Sequence, residues 1–585
     1  MDDVWPWLAS LPPPPSGEPD APPPWSLHLA ASPDGTSIVL QADAAAATAD
    51  SDGGGEPALL VAFSLAINGA SAPSAMWTSG GFAASSPVPL RLQLLVQLLN
   101  EVLALSPYVP SLGTSAVDIV AGDAASEARV DAHVVSCAVG AAGGDDDASA
   151  SSAAFFSLAL LLRLFWLCAL DAPAEAGYLF FRDLGAGLER ALVLCRPALA
   201  AFLRCVGPDL EERFMRSLGY MLAKWCLLHE MQATASAAAA SAAKAAAPQE
   251  LPIPRPRRVL PTACLSHASE AHGLWVLKGY APVLAMPHVT GAAPATITAS
   301  PHEVPEEPAL RYGLVHQQLE AVAQLEYAVR VRGGGRYLGV SVRLDNVRVR
   351  VARLAFRKDG DDAEDAGSDN VMDSECHFPS RIRIWVGPRF GTSYATGPSL
   401  GRSTGNPERD VEMTRTVKGV FPGAAKLGVG NANGGGGAAP RMKAKMRSSA
   451  RTRSRSWRWE QEVEGGAGVF EGVLYDPVTG TEVSAWRPGV GGGDPRNGMR
   501  RRYGGPGRAF SKMRGLVVAG DELPEEMTWR VGREMEGRTL RWRFGLQAWV
   551  SYLPNEVRSR HFETRCVEWA HEVELPLVHI NGDES

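Results

Sequence analysis

Apolar residues recur every three or four positions over much of the first part of the chain, and every second position beyond about residue 250. Pro89–Leu105 carries Gln93, Gln97, Asn100 and Ala104 as a narrow, weakly polar stripe with leucines over most of the rest, which predicts a helix buried nearly all round. Ala153–Leu170 and Gly177–Cys205 continue the helical pattern, with Pro197 kinking or dividing the second segment. Pro208 and Asp209 open a further helix. Asp209 can cap its free N–H groups, with Glu212 three residues on, and Leu210, Phe214, Leu218, Leu222, Trp225 and Leu228 form one apolar face. Strands are expected among these helices at Ser26–Ala31, Thr36–Ala42, Ala58–Ile67 and Arg129–Val139.

The polyalanine stretch Ala233–Ala247 is followed by Pro248, Pro252, Pro254 and Pro256, which stop any helix before the period changes. Leu338, Val340, Val342 and Leu344 then alternate with polar residues. After Asp345 and Asn346 the apolar set moves to Val347, Val349 and Val351, a one-residue shift that requires a bulge or tight turn. Arg381–Val386, Val411–Phe421, Trp457–Val463, Gly468–Tyr475, Glu482–Trp486 and Phe562–Leu577 read as further strands, and Met527–Met535 and Thr539–Tyr552 as a hairpin about Glu536-Gly537-Arg538. The expected class is α+β. A helix-rich N-terminal half with a few strands precedes a largely antiparallel, β-rich C-terminal half, whether sandwich, open barrel or curved sheet.

The corresponding divisions are a Pro-rich segment at 1–25, a helix-rich α+β region at 26–232, an Ala/Pro-rich linker at 233–260 and the β-rich domain at 261–578. Trp5, Trp7 and Trp25 are expected to dock the Pro-rich segment on the folded body, and 360–374, 423–456 and 489–507 to be long disordered loops. The start of the chain has neither the basic region of a secretory signal nor an uninterrupted apolar run, so the expected location is cytoplasmic, with nuclear as the alternative. Ala153–Leu170 is borderline in length for a membrane span and holds Arg163 near its middle, which favours a buried helix. The eight cysteines include no C-x-x-C pair and read as reduced thiols.

Few signatures of catalysis are present. No phosphate-cradling glycine loop and no nucleophile elbow occur, and the glycines at 428–434 have the wrong spacing for a dinucleotide fingerprint. Cys264, His267, Glu270 and His272 could ligate a metal one by one, but the histidines lie five apart and fit no zinc pattern, so neither a metal nor a cofactor is expected. The net charge of −7 conceals two basic runs without acids: eight basic residues in 441–458 and seven in 496–514. Arg441, Lys443, Lys445, Arg447, Arg451, Arg453 and Arg458, with Arg500, Arg501 and Arg502 of the second run, are candidate contacts for an anionic partner, since guanidinium groups grip phosphate through paired donors. Arg455 belongs to the same run. RNA and acidic lipid both fit, and a solvated loop is the plain alternative. These features favour a non-enzymatic binding or scaffold protein, most simply with a protein partner. A hydrolase with a site between the two halves and a peripheral membrane protein are the alternatives.

Overall fold

The computed structural model describes residues 3–11, 25–31, 37–46, 59–68, 74–83, 87–109, 130, 135–136, 146–170, 187–222, 225, 265–271, 273–283, 316–354, 376–389, 393–400, 410–422, 441–453, 457–476, 480–483, 516–519, 526–553 and 564–578. They form a mixed α and β structure in which every paired strand runs antiparallel to its neighbour.

The first layer is a five-stranded sheet of β1 (Trp25–Ala31), β2 (Ser37–Ala46), β3 (Leu59–Asn68) and β4 (Ser74–Thr78), with β5 (Phe82–Ala83) paired to β3. The Pro-rich start is not wholly irregular: α1 (Val4–Ser10) is a short helix whose Val4 and Leu8 are fully buried. Trp5 packs on Phe156 at 5.4 Å and Trp7 on Phe63 at 6.3 Å, so two aromatic rings stitch it to a helix and a strand. The helices α2 (Pro87–Ala104) and α3 (Asp146–Leu170) pack together beside this layer.

Helix α3 is long and apolar enough to cross a membrane, but 83% of its Ser149–Leu167 window is buried inside the protein. Its one mid-helix charge is neutralised within the fold. Arg163 Nε lies 2.5 Å from Glu101 Oε2 on α2, and Glu101 also accepts from Trp77 Nε1 at 2.7 Å and Gln97 Nε2 at 2.6 Å. The expected second helical segment is divided at Cys195 into α4 (187–194) and α5 (Arg196–Cys205), with Pro197 in the first turn of the latter, where a missing N–H costs nothing. Helix α6 (208–222) follows after Gly207, whose carbonyl accepts the Glu211 N–H. Glu212, expected as a capping partner, has its carboxylate engaged by three arginines, Arg216, Arg348 and Arg350. Val135 and Ser136 are helical, against the strand expected over 129–139.

Two larger sheets follow. The seven-stranded one runs β11 (Ala395–Leu400), β17 (Met527–Gly532), β9 (Tyr337–Leu354), β8 (His316–Arg332), β7 (Leu274–Val283), β6 (Leu265–Ala271), with β16 (Leu516–Ala519) also on β9. The five-stranded one runs β14 (Trp457–Glu464), β15 (Ala467–Leu474), β10 (Cys376–Pro388), β18 (Thr539–Leu553), β19 (Thr564–Pro576). Strand β9 stays continuous through the phase shift: Gln324 pairs with Asn346 and Leu325 with Leu344, so Asp345 is the bulged residue. That bulge keeps Leu338, Val340, Val342 and Leu344 in the same core as Val347 and Val349.

The hairpin expected about Gly537 does not form. Strand β17 belongs to the seven-stranded sheet and β18 to the five-stranded one, so a single turn of 3-10 helix at Arg533–Met535 carries the chain from one layer to the other. The alternation on either side of a hairpin and of a crossing is the same, which is why periodicity misassigned the pairing. Of the strand expected over 482–486, only a single bridge between Tyr475 and Glu482 is observed among the described residues.

The two sheets meet through tryptophan. Trp529 and Trp542 stand edge to face at 4.9 Å, and Trp275 lies 6.0 Å from Trp542 and 6.3 Å from Phe544. The ring of Trp569 on β19 covers Gly279 on β7 so closely that a Cβ at Gly279 would stand 2.5 Å from it. Glycine is required there for clearance. Gly279→Ala is expected to lower stability by about 1–3 kcal/mol through overpacking, read as a lower urea midpoint; an unchanged midpoint would show that the sheets separate freely at this point.

Candidate functional site

Two polar assemblies could carry function: a two-stranded ribbon bearing the basic run, and a buried charged layer under α6.

The ribbon consists of β12 (Asp410–Pro422) and β13 (Arg441–Arg453), described as backbone and paired in unbroken register from Asp410 with Arg453 to Pro422 with Arg441. The expected disordered loop over 423–456 therefore includes a regular strand, and residues 423–440 and 454–456 lie outside the described residues. Residues directly opposite in an antiparallel pair share a face, and successive pairs alternate between faces. One set of pairs is Asp410 with Arg453, Glu412 with Arg451, Thr414 with Ser449, Thr416 with Arg447, Lys418 with Lys445, Val420 with Lys443 and Pro422 with Arg441. That face holds seven basic residues against two acidic ones. The alternate set is Val411 with Thr452, Met413 with Ala450, Arg415 with Ser448, Val417 with Met446, Gly419 with Ala444 and Phe421 with Met442. Apart from Arg415 it carries no charge and is mainly apolar. The segment read from sequence as a solvated loop has the period of an amphipathic strand; the high count of arginine and lysine masked it, since those residues are poor strand formers.

The remaining members of the predicted site are placed apart. Arg458 is on β14, the edge of the five-stranded sheet, with its guanidinium 4.2 Å above the Tyr475 ring. Trp459 is buried beside Gly472, and Trp457 packs against the core. Neither tryptophan is free to stack on a base. Arg500, Arg501 and Arg502 lie outside the described residues, as does Arg455.

The second assembly was not anticipated from sequence. The bonded register places Tyr280, Glu320 and Arg350 in one row across β7, β8 and β9, and His267, Lys278 and Arg348 in the next row but one. Helix α6 lies over this face. Glu211 receives His267 Nε2 at 2.6 Å, Lys278 Nζ at 2.5 Å and the Tyr280 hydroxyl at 3.2 Å. Arg216 donates to Glu320 at 2.9 Å and to Glu212 at 2.7 Å. Arg350 donates to Glu320 at 2.7 Å, and Arg348 to Glu212 at 2.9 Å. Burial would raise the Glu211 and Glu320 carboxyls, but their cationic partners prevail and hold both below the ordinary value of 4.5. The Tyr280 hydroxyl is raised by burial and by the three glutamates around it.

Three carboxylates meeting four cations at hydrogen-bond distance is the pattern of a structural clasp. A catalytic site would set the acids against each other and separate their titrations. Nearby, Ser266 Oγ lies 2.8 Å from His571 Nε2, the spacing of a nucleophile and its base. Burial first, then the electrostatic effect of neighbouring His267 and Arg196, hold His571 down at about 4, with hydrogen bonding at Ser266 working the other way. Those neighbours are the reverse of the carboxylate that orients a catalytic histidine. Of the metal candidates, His267 is engaged by Glu211, and Glu270 accepts from the Tyr327 hydroxyl at 3.0 Å; Cys264 and His272 lie outside the described residues.

No family model and no curated protein matches the chain. Among solved structures, Clostridium perfringens delta-toxin is similar over 53% of this chain and 96% of its own, at 8% identity and a TM-score of 0.20. The Clostridium perfringens NetB toxin in its membrane-inserted form is similar over 53% of this chain and 94% of its own, at 8% identity and a TM-score of 0.15. Likeness at these scores carries no functional weight.

Two outcomes test the clasp. Glu211→Gln should cost about 3 kcal/mol, since it strands Lys278 in a buried setting, whereas Glu326→Gln, which breaks the exposed pair with Arg343, should cost under about 1 kcal/mol by urea unfolding. Equal losses would deny the clasp its role. The pH dependence has a set sign. His571 titrates at about 4 when folded and 6.5 ordinarily, so the unfolded chain binds the extra proton between those values and stability falls as pH drops from 6.5 to 4. The depressed Glu211 and Glu320 act lower: their contribution is whole above 4.5 and disappears as pH falls below it. His571→Asn should flatten the upper window and leave the lower one intact, as read by urea midpoints across pH.

Proposed function

We propose that this chain is a non-enzymatic binding protein that holds an anionic partner against the basic face of the β12–β13 ribbon. The reading is supported by one observation above others: the strand register gathers Lys418 with Arg441, Lys443, Lys445, Arg447, Arg451 and Arg453 on a single face, with only Asp410 and Glu412 to offset them. Scattered through a loop, seven cations would repel one another and disperse; in a regular ladder they present charge at fixed spacing, which suits an extended polyanion. In this reading the helix-bearing region at 26–232 braces the β-rich region at 261–578.

The ends of the ribbon differ in consequence. Arg451 and Arg453 stand opposite Glu412 and Asp410 in the ladder, so at that end of the ribbon the register sets acid against base. Lys443, Lys445 and Arg447 face Val420, Lys418 and Thr416 and have no such opposition. The half of the ribbon towards Pro422 and Arg441 therefore supplies the contact.

The test is retention of the full chain on immobilised heparin. Lys443→Glu, Lys445→Glu and Arg447→Glu together should move elution to markedly lower salt, and Arg451→Glu with Arg453→Glu should have a smaller effect per charge. Passage of the unaltered protein straight through the column at low salt would defeat the reading.

A further inference from the structure

The ribbon has a second face, and a polyanion alone leaves it unexplained. Val411, Met413, Val417 and Phe421 of β12 alternate with the polar positions and stand in the same rows as Thr452, Ala450, Met446 and Met442 of β13. Among the described residues neither strand joins another sheet, so no third strand extends the pair. The ribbon thus combines an apolar face with a basic one in a single thin element. A contact with RNA or with an acidic protein tail uses the basic rows and leaves the alternation of the apolar rows unaccounted for.

We infer that the partner is an anionic lipid surface. Resting on the polyanion reading above, this deepens it by naming the chemistry of the partner. The apolar rows enter the boundary between headgroups and acyl chains. The basic rows supply the charge that lipid phosphate and carboxylate groups complement, as basic residues do on amphipathic interfacial elements. Charge complementarity chooses acidic lipid over neutral lipid, and the alternation chooses lipid over a polyanion in solution.

Two features confine the ribbon to the surface. Arg415 sits in the middle of the apolar rows, opposite Ser448, where crossing the hydrocarbon core would be costly. Each strand also has an outer edge with no bonded neighbour among the described residues, and such edges need water or headgroups for their N–H and C=O groups. Lying flat meets both requirements; spanning meets neither.

The experiment uses the full chain, with flotation on phosphatidylcholine vesicles with and without phosphatidylserine, and heparin retention in parallel. The unaltered protein should float with the acidic vesicles and stay behind with the neutral ones. Val417→Thr, Phe421→Thr and Met446→Thr together keep good strand formers and every charge. They should cut flotation roughly tenfold or more while heparin retention stays normal, which also shows that the protein is folded. Lys443→Glu, Lys445→Glu and Arg447→Glu together should abolish both. If the threonine variant floats as well as the unaltered protein, or the unaltered protein binds heparin but never floats, the lipid inference is overturned and the polyanion reading stands. Flotation without heparin retention would overturn the polyanion reading and leave the lipid contact in place. Loss of both signals in the unaltered protein overturns the two together.

Discussion

A sheet buried on one face by another sheet must still cover its other face, and in this protein that second covering is ionic. The seven-stranded sheet presents Trp275, Leu277 and Gly279 of β7 to the core, and Lys278 and Tyr280 on the opposite side. Lysine and arginine on a buried face are tolerable only if carboxylates arrive with them. Glu211 and Glu212 on α6 supply two, and Glu320 on β8 a third, already paired across the sheet with Arg350. The helix is thereby held at a fixed place along the sheet, because each ion pair is satisfied only in that position. An apolar helix face could slide by a turn; this one cannot without stranding a charge. The clasp thus gives the joint between helices and sheets its specificity more than its stability.

The aromatic contact between the sheets is the complementary constraint. Tryptophan rings on one layer fit where the facing layer has glycine: Trp569 over Gly279, and Trp529 beside Gly468. Two large rings and two absent side chains bring the layers into close contact, and they fix strand register, since a slip would set each ring against a Cβ. The crossing at Arg533–Met535 belongs to the same scheme: it returns the chain to the opposite layer within a few residues, and the Gly537 N–H bonds the Leu577 carbonyl at 3.0 Å to close the end.

Periodicity made much of this legible. The leucine-rich α2, the buried character of α3 and the bulge at Asp345 each follow from the spacing of apolar residues, because burial of a defined face is what the spacing encodes. Partnerships were not legible. The clasp joins Glu211 to His267 and Lys278, separated by 56 and 67 residues, and no local pattern marks such an acid as buried. From sequence Glu212 reads as the capping partner of Asp209, and nothing singles out Glu211 beside it. The crossing between β17 and β18 was mistaken for a hairpin because period two reports which face a residue occupies and says nothing of which strand lies beside it. The strand at β13 was hidden by composition, as arginine and lysine outweighed the alternation between them.

Strands β8 and β9 and strands β12 and β13 obey the same rule, apolar residues on one face and charged residues on the other. In the first pair both faces are covered, the apolar one by the five-stranded sheet and the charged one by α6, and the charges there are balanced nearly one for one. In the second pair the charges are unbalanced, and no other strand joins it among the described residues. Unbalanced charge is costly to enclose and inexpensive to leave facing water or a counter-charged surface. Seven cations on one face of a ribbon, with valine, methionine and phenylalanine in alternation on the other, are the features on which the proposed contact with an anionic lipid surface rests. The same alternation thus builds the core in one ladder and, in the other, a ribbon most of whose basic charges find no matching carboxylates in its own register.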